Sequence, residues 1–373
     1  MPPSCARVGL YAKFPMKNRD IPLPSLMPNP LKQKKSTLKI YHNLSEFKKL
    51  NNAIVTIGTF DGVHFGHQKI INQLVQKAKA DNGESVILTF FPHPRMIIDP
   101  ENQDLKMINT INEKAEILKN LGVDHLIITP FTRDFSNQLP DDYIKNTLVE
   151  NIGTKHIIIG YDHRFGKDRT GNLADLKTAG LHYGFTVEEI MEQDIHDVAV
   201  SSTKIRQALL AGDVGLASDY LGYPFSIFGR VIKGDKIGRT IGFPTANLFV
   251  EETYKLIPGD GIYAVTVEMN LESEGLKIQS SNDDPTFAGL NHQPSIFKGM
   301  AYIGQRPTIN GMTRNIEVNI FDFNQEIYGQ DIKMNFLKFL RPDVKFTGLE
   351  ALTLQLQNDK EATLSYFASI VSH

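Results

Sequence analysis

Cysteine is nearly absent: Cys5 stands alone in 373 residues. A disulfide framework and any zinc site built on thiolates are thereby excluded, and a reducing compartment such as the cytoplasm is the expected setting. No apolar run approaches the roughly 20 residues that a helical bilayer span requires, so no membrane partner is expected. Basic residues are not in excess either. Lys and Arg number 40 against 42 Asp and Glu, a net charge of −2, which argues against general nucleic-acid binding. What is present is an ordinary globular composition, 41% hydrophobic and 22% charged, over a length that suits two domains.

Residues 1–37 stand apart. They carry seven prolines, and Asp20 is their only acid. Proline at this density prevents regular structure, and the segment lacks the apolar core of a secretory signal. Its basic, acid-poor character is shared with transit peptides. A disordered extension, or a start codon placed too early, is the plainer expectation, since a frame beginning near Leu38 contains everything used below.

The chain is organised around Ala53–Gln68, AIVTIGTFDGVHFGHQ. Ala53–Ile57 is a β-branched apolar strand stopped by Gly58. After the turn Thr59–Val63, His64-Phe65-Gly66-His67 opens a helix whose apolar face is Ile70, Ile71, Leu74, Val75 and Ala78, a 3.6-residue period. Two histidines at a strand-to-helix junction sit where helix N–H groups favour phosphate, and imidazoles there can donate to a phosphoryl group as charge develops. Zinc is disfavoured, because no Cys or carboxylate cluster completes a ligand set.

Strands are expected at Ser85–Phe91, His125–Thr129, His156–Ile159 and Thr186–Ile190. They alternate with helices near 112–121, 141–150 and 173–183. Mostly apolar strands separated by helices imply a parallel sheet covered on both faces, with ligands beyond the strands' carboxyl ends. Pro92-His93-Pro94-Arg95 reads as a stiff turn. Gly160–Lys167 follows the fourth strand, and Val200–Arg206 follows the last. Ser201 or Ser202 can cap the helix that starts there, while Ser202, Thr203 and Arg206 put hydroxyls and a guanidinium at its N-terminus, a set suited to a triphosphate.

From about residue 223 the pattern changes. Gln207–Leu221 reads as two short helices split at Gly212-Asp213. Strands then follow at 226–232, 261–267, 299–303, 315–323 and 331–340 with no long helix before Leu349–Ile370, which indicates a closed antiparallel sheet plus a C-terminal helix. The polar stretch 272–294 reads as a surface loop. Gly234–Asn247, with Gly234, Gly238 and Gly242 beside Lys236 and Arg239, forms a loop whose N–H groups can wrap phosphates, although the GK[ST] ending of a Walker loop is missing. In Arg314–Phe323, alternation puts Ile316, Val318 and Ile320 on one face and Glu317 and Asn319 on the other.

The string HFGH resembles the HxGH signature of nucleotidyltransferases. The longer GTFDGVHFGH resembles the FAD synthetase module of bacterial bifunctional riboflavin kinase/FMN adenylyltransferases. GYDHRFG and SSTKIR are similar to that family's GxDFxFG and SSTxIR motifs, with His163 where the family usually has Phe. GRTIGFPTAN and IEVNIFDF resemble the riboflavin kinase signature, and GQRPT and FLRP match without an assigned role. The resemblance runs from about residue 38 to the end. It implies a Rossmann-like adenylyltransferase domain over 38–222 and a β-barrel kinase domain over 223–373, α/β followed by all-β. The implied substrates are riboflavin, FMN and ATP, with Mg²⁺. It further implies catalytic His64, His67 and Glu317, the last as base for the riboflavin 5′-hydroxyl. Nucleotide contacts are implied from Gly58, Thr59, Phe60, Asp162, Ser202, Thr203, Arg206, Gly234, Gly238, Arg239 and Gly242, and metal ligation from Thr245 and Asn247. A transferase of another phosphorylated small molecule leaves GRTIGFPTAN and Glu317 unexplained. A flavin-binding protein without catalysis has no need of two histidines and a base.

Overall fold

The computed structural model describes residues 37–99, 101, 105–190, 200–234, 237–270, 294–308 and 311–371. The extension over 1–36, most of the expected 272–294 loop, and Asp235 and Lys236 lie outside the described residues.

The first half is a six-stranded parallel sheet. Its strands are β1 (Lys39–Tyr41), β2 (Ala53–Ile57), β3 (Glu84–Phe91), β4 (His125–Pro130), β5 (Thr154–Gly160) and β6 (Thr186–Ile190), in the order β1-β4-β3-β2-β5-β6. All five residues of β2 are buried, as a central strand covered on both faces requires. Helices α1 (Phe65–Ala80), α2 (Pro94–Ile98), α3 (Ile111–Asn120), α4 (Tyr143–Ile152) and α5 (Leu173–Tyr183) surround it. Side chains of α1 and α3 pack one face through Ile71, Leu74 and Leu118, and α4 and α5 pack the other through Ile144, Leu148 and Leu176.

Three differences from the sequence reading concern this half. Strand β1, paired in parallel with β4, is a sixth strand beyond the five expected. The Pro92–Arg95 turn is the entry to α2, whose N-cap His93 accepts a hydrogen bond at Nδ1 from Arg95 N at 3.2 Å; Pro94 is pre-set for the first helical position. Residues Tyr143–Ile152 wind as a π-helix rather than an α-helix.

After α6 (Ser202–Leu210) and α7 (Val214–Leu221), the second half is a closed antiparallel barrel. It comprises β7 (Phe225–Ile232), β8 (Ala246–Phe249), β9 (Gly261–Met269), β10 (Ser295–Thr308), β11 (Gly311–Ile320) and β12 (Asp331–Arg341). Closure leaves no bare edge. Strand β8 lies inside what reads as loop; its pairing with β11, Glu317 opposite Asn247, is a non-local event that no local pattern announces. Strand β11 ends at Ile320, and Asp322 takes a positive φ of 55° in the turn that follows.

The barrel interior holds Ile227, Tyr263, Val265, Ile316, Val318 and Phe336, and the same core continues into Ile205, Leu209, Val214 and Leu221 of α6 and α7. A final helix, α8 (Leu349–Val371), lies outside the barrel. Arg341 of the FLRP string grips it with a bidentate pair to the buried Asp359, at 2.8 and 2.7 Å.

Candidate functional site

At the carboxyl end of β2 the chain turns sharply, with φ of 45° at Phe60 and 35° at Val63, into the N-terminus of α1. His64 occupies the N-cap in extended conformation but its side chain accepts no hydrogen bond from the first N–H groups of α1. Its ring stacks on that of His67 with centroids 3.6 Å apart and planes 18° from parallel. The Phe60 ring meets His67 edge-on at 5.2 Å. The Nδ1 atoms of both histidines are buried without a hydrogen-bond partner. Burial holds His64 down to about 4, and burial, then the neighbouring His64 and Lys114, holds His67 well below the ordinary value. Two neutral imidazoles therefore lie face to face at a helix N-terminus.

The turn itself is braced from below. Asp61, 1% exposed, accepts from the backbone N–H of Ile108 at 2.9 Å and of Asn109 at 3.4 Å, and from Arg206 Nη2 at 2.5 Å. Burial pushes its carboxyl up, against the opposing pull of Arg206 and Lys114. Lys114 is 1% exposed and donates from Nζ to the Thr59 carbonyl at 2.6 Å; burial lowers its ammonium to about 8. Ser202 Oγ donates to the Asp61 carbonyl at 2.8 Å, and Tyr223 OH to the Gly62 carbonyl at 2.6 Å.

The expected residues divide accordingly. Ser201 caps α6, accepting from Lys204 N at 3.3 Å, and Thr203 is exposed on its first turn. Arg206 and Ser202, read from the sequence as phosphate contacts, hold the Asp61 turn. A carboxylate so buried needs a cation, and Arg206 supplies it while Nε donates to the Lys106 carbonyl at 3.0 Å. Gly58 donates to the Leu88 carbonyl at 3.1 Å and packs under the Phe60 ring. Asp162 is exposed in the turn after β5. The His163 ring lies nearly parallel to that of buried Phe165, centroids 5.9 Å apart, so the imidazole packs as a flat ring would.

Asp61, Lys114 and His93 were not singled out by sequence reasoning. Lys114 had a signal: it falls on the apolar face of α3, between Ile111 and Leu118. His93, buried and held at about 4 by burial and then by Arg206, Arg95 and Lys114, lies among the same cations.

These low values lower the stability in acid. Above pH about 6.5 histidines are neutral in both folded and unfolded chain. Between there and about 4 the unfolded chain takes up protons that folded His64 and His93 refuse, so stability falls with falling pH across that window. By pH 5 the loss is about 2 kcal/mol for each histidine. Thermal melts at pH 7 and pH 5 are expected to show a drop in Tm, and His93→Gln to shrink that drop.

The second constellation lies where β8 meets β11. Glu317 accepts from Thr245 Oγ1 at 2.9 Å on Oε2 and from Asn315 Nδ2 at 2.6 Å on Oε1. Each carboxylate oxygen is thus held in place with lone-pair capacity remaining. Asn247, opposite Glu317 in the ladder, is buried. Asn319 Nδ2 donates to the Pro244 carbonyl at 2.7 Å, which ties the Phe243–Asn247 segment across β11. Tyr302, the other ladder neighbour of Glu317, donates to Asp343 at 3.1 Å; burial, then Asp343, raises its hydroxyl to about 12.

The glycine-rich loop contains one helical turn, Ile237–Thr240, with Arg239 exposed, and Gly242 at φ +83° ends it. Two of its glycines are there for space. A Cβ on Gly238 would lie 2.2 Å from the Phe243 carbonyl oxygen, and one on Gly234 would lie 2.1 Å from Asn247 Nδ2. Gly238→Ala is therefore expected to push the loop off Phe243–Asn247. It should lower the melting temperature and speed amide exchange over Phe243–Asn247; thermal melts and hydrogen exchange check this.

Among the described residues no group of three or more His, Cys, Asp and Glu could hold a metal, and no helix is long and apolar enough to cross a membrane.

Comparison with known proteins places two family matches along the chain. The FAD synthetase family matches residues 46–204 and the riboflavin kinase family residues 221–367. A bifunctional riboflavin kinase/FMN adenylyltransferase of Haemophilus influenzae is 38% identical over 328 residues, covering 88% of this chain and 98% of that protein. One from Listeria monocytogenes is 36% identical, covering 90% of this chain and 99% of its own. A crystal structure from Streptococcus pneumoniae, described as a macrolide-efflux protein, superposes with a TM-score of 0.74 at 31% identity, covering 87% of this chain and 98% of that one.

Proposed function

The chain belongs to the family of bifunctional riboflavin kinase/FMN adenylyltransferases, and on that premise we propose that it makes FAD in two ATP-dependent steps at the two constellations described. The barrel phosphorylates riboflavin to FMN. The parallel-sheet half then joins FMN to the adenylyl group of a second ATP, and pyrophosphate leaves. We assign the steps to 223–373 and 38–222 respectively. The observation that carries the reading is the hydrogen-bonded Thr245–Glu317–Asn315 set in one half beside the neutral, stacked His64–His67 pair in the other.

In the kinase step the riboflavin 5′-hydroxyl oxygen attacks the γ-phosphorus of ATP, the bond to the β–γ bridging oxygen breaks, and Glu317 takes the hydroxyl proton. Its two hydrogen bonds aim the carboxylate without using up its basic lone pairs. Gly234, Gly238, Arg239 and Gly242 shape a loop whose N–H groups surround phosphate oxygens.

Magnesium fits this site. Thr245 and Asn247 offer hard oxygen donors beside Glu317, the Thr245 hydroxyl 2.9 Å from its carboxylate and Asn247 directly opposite it in the ladder. When bound, Mg²⁺ neutralises phosphate charge; Thr245 and Asn247 would hold it.

In the adenylyl step an FMN phosphate oxygen attacks the α-phosphorus of ATP and the α–β bridging bond breaks. Nothing covalent is asked of the protein, so orientation and charge stabilisation are its contribution. His64 and His67 donate to the phosphoryl oxygens as charge builds. Gly58, Thr59 and Phe60 border the nucleotide, Thr203 meets its distal phosphates, and Asp162 lies on the adenosine or flavin side. Ser202 and Arg206 act there chiefly through the Asp61 turn they hold. We place both steps in the cytoplasm, where ATP and a reduced Cys5 belong.

Incubation of the protein with riboflavin, ATP and MgCl₂, followed by chromatography of the flavins, tests the whole reading. FMN should appear first and FAD later. FMN alone would remove the adenylyl assignment, and no product would remove both.

A further inference from the structure

The two halves are joined by a contact that reaches the adenylyl site. The segment between β8 and β9 lies against residues 106–111 of the first half. Met107 N donates to the Tyr254 carbonyl at 2.7 Å and Leu256 N to the Met107 carbonyl at 2.8 Å, and Lys106 Nζ donates to the Thr253 carbonyl at 3.0 Å. Between them Lys255, 3% exposed, crosses from the barrel half and buries its ammonium in the other. Its Nζ donates to the Ile108 carbonyl at 2.8 Å and to Glu113 Oε2 at 2.5 Å, and lies 4.4 Å from the centroid of the Phe225 ring.

What Lys255 touches is what braces the histidine turn. Ile108, whose carbonyl it holds, gives its own N–H to Asp61 at 2.9 Å. Asn109, the next residue, donates to Asp61 at 3.4 Å and accepts from Tyr223 OH at 3.2 Å, whose other acceptor is Gly62. Glu113 closes the capping box of α3, accepting from Thr110 N at 2.8 Å, and the following residue, Lys114, holds the Thr59 carbonyl. So 108–114 has the barrel's lysine on one side and Thr59, Asp61 and the His64–His67 turn on the other. The other oxygen of Glu113, Oε1, is buried without a hydrogen-bond partner, so this carboxylate depends on Lys255 and its own cap.

We propose that Lys255, supplied by the kinase half, is a positioning residue for adenylyl transfer. By fixing Ile108 and the first turn of α3 it sets the Asp61–Thr59 turn that carries the two histidines. Coupling then runs one way: the kinase half is needed for the adenylyl geometry, whereas Thr245, Asn247 and Glu317 receive nothing from this contact. A side chain that only glued two domains together would lower stability without favouring one activity.

The proposal rests on the assignment of the adenylyl step to the first half, and the test separates the two. Full-length Lys255→Met and the charge-balanced pair Glu113→Gln/Lys255→Met are assayed for riboflavin phosphorylation and for adenylylation of supplied FMN, each at saturating ATP. Amide hydrogen exchange is followed in peptides covering 58–67, 106–114, β9 and β12. We expect both variants to lose at least tenfold in adenylyl kcat with kinase kcat within about twofold of the parent, and to exchange faster over 58–67 and 106–114 but not in β9 or β12. The double variant guards against misfolding from a stranded carboxylate. Its full recovery of adenylyl kcat would assign the loss to Glu113 and overturn the proposal. So would unchanged kcat with unchanged exchange, or an equal fall of both activities. A parent protein that makes no FAD would refute the site assignment, and the exchange at 58–67 would still decide whether Lys255 positions the turn.

Discussion

His67→Ala is expected to slow FAD formation by about two to three orders of magnitude, the usual cost of removing one preorganised donor to developing phosphoryl or acyl charge, while FMN formation continues within a few-fold of the parent. The expectation follows from the way His67 is held. Its ring is fixed between His64, at 3.6 Å, and the edge of Phe60, at 5.2 Å, and burial keeps it neutral. A neutral imidazole enters the reaction already oriented, and alanine leaves a gap that water would fill without that orientation. The kinase step should be spared because Glu317, Thr245 and Asn247 belong to the barrel. Assays of each step on the folded variant decide it; loss of both activities would mean that the sites are not separate.

The second large effect is expected at Glu317. Glu317→Gln should slow riboflavin phosphorylation by about 10²- to 10⁴-fold, the range general-base catalysis contributes, and leave adenylylation of supplied FMN near normal. The substitution is mild structurally. The glutamine carbonyl can still accept from Asn315, and the Thr245 hydroxyl can reverse and accept from the new amide, so the 2.6 and 2.9 Å contacts have successors. What disappears is the basic carboxylate. Single-turnover phosphorylation of riboflavin, with and without the substitution, measures the loss directly; an unchanged rate would take Glu317 out of the mechanism.

These two sites differ in how far the chain reveals them. His64 and His67 are close in sequence, and the strand and helix that frame them are each written locally, β2 in four apolar residues and Thr56, and α1 in a 3.6-residue period. Their proximity to a helix N-terminus could therefore be read directly. Glu317 was legible as an outward residue on an alternating strand, but not its partners. Thr245 is 72 positions away, and only barrel closure brings it within 2.9 Å. The same limit hid β8, whose four residues become a strand because β7 and β11 flank them.

The role of Arg206 shows the limit most clearly. From sequence it is a cation at a helix start, and a phosphate is the natural partner. In the fold its Nη2 also pairs with buried Asp61, 145 positions away. No local pattern announces this, because the demand for a counter-charge arises only when the turn is buried.

The sequence by itself determined the alternation of apolar strands and helices, the change to successive strands without long intervening helices after residue 222, and the two motif sets in their order. These depend on periodicity and turn chemistry over a few residues. Tertiary structure alone decided which groups pair: Asp61 with Arg206, Lys114 with the Thr59 carbonyl, Lys255 with Glu113, Thr245 with Glu317. Burial is the physical reason. A polar group taken out of water needs a partner wherever the fold supplies one, and in these four pairs it comes from 55 to 145 positions away.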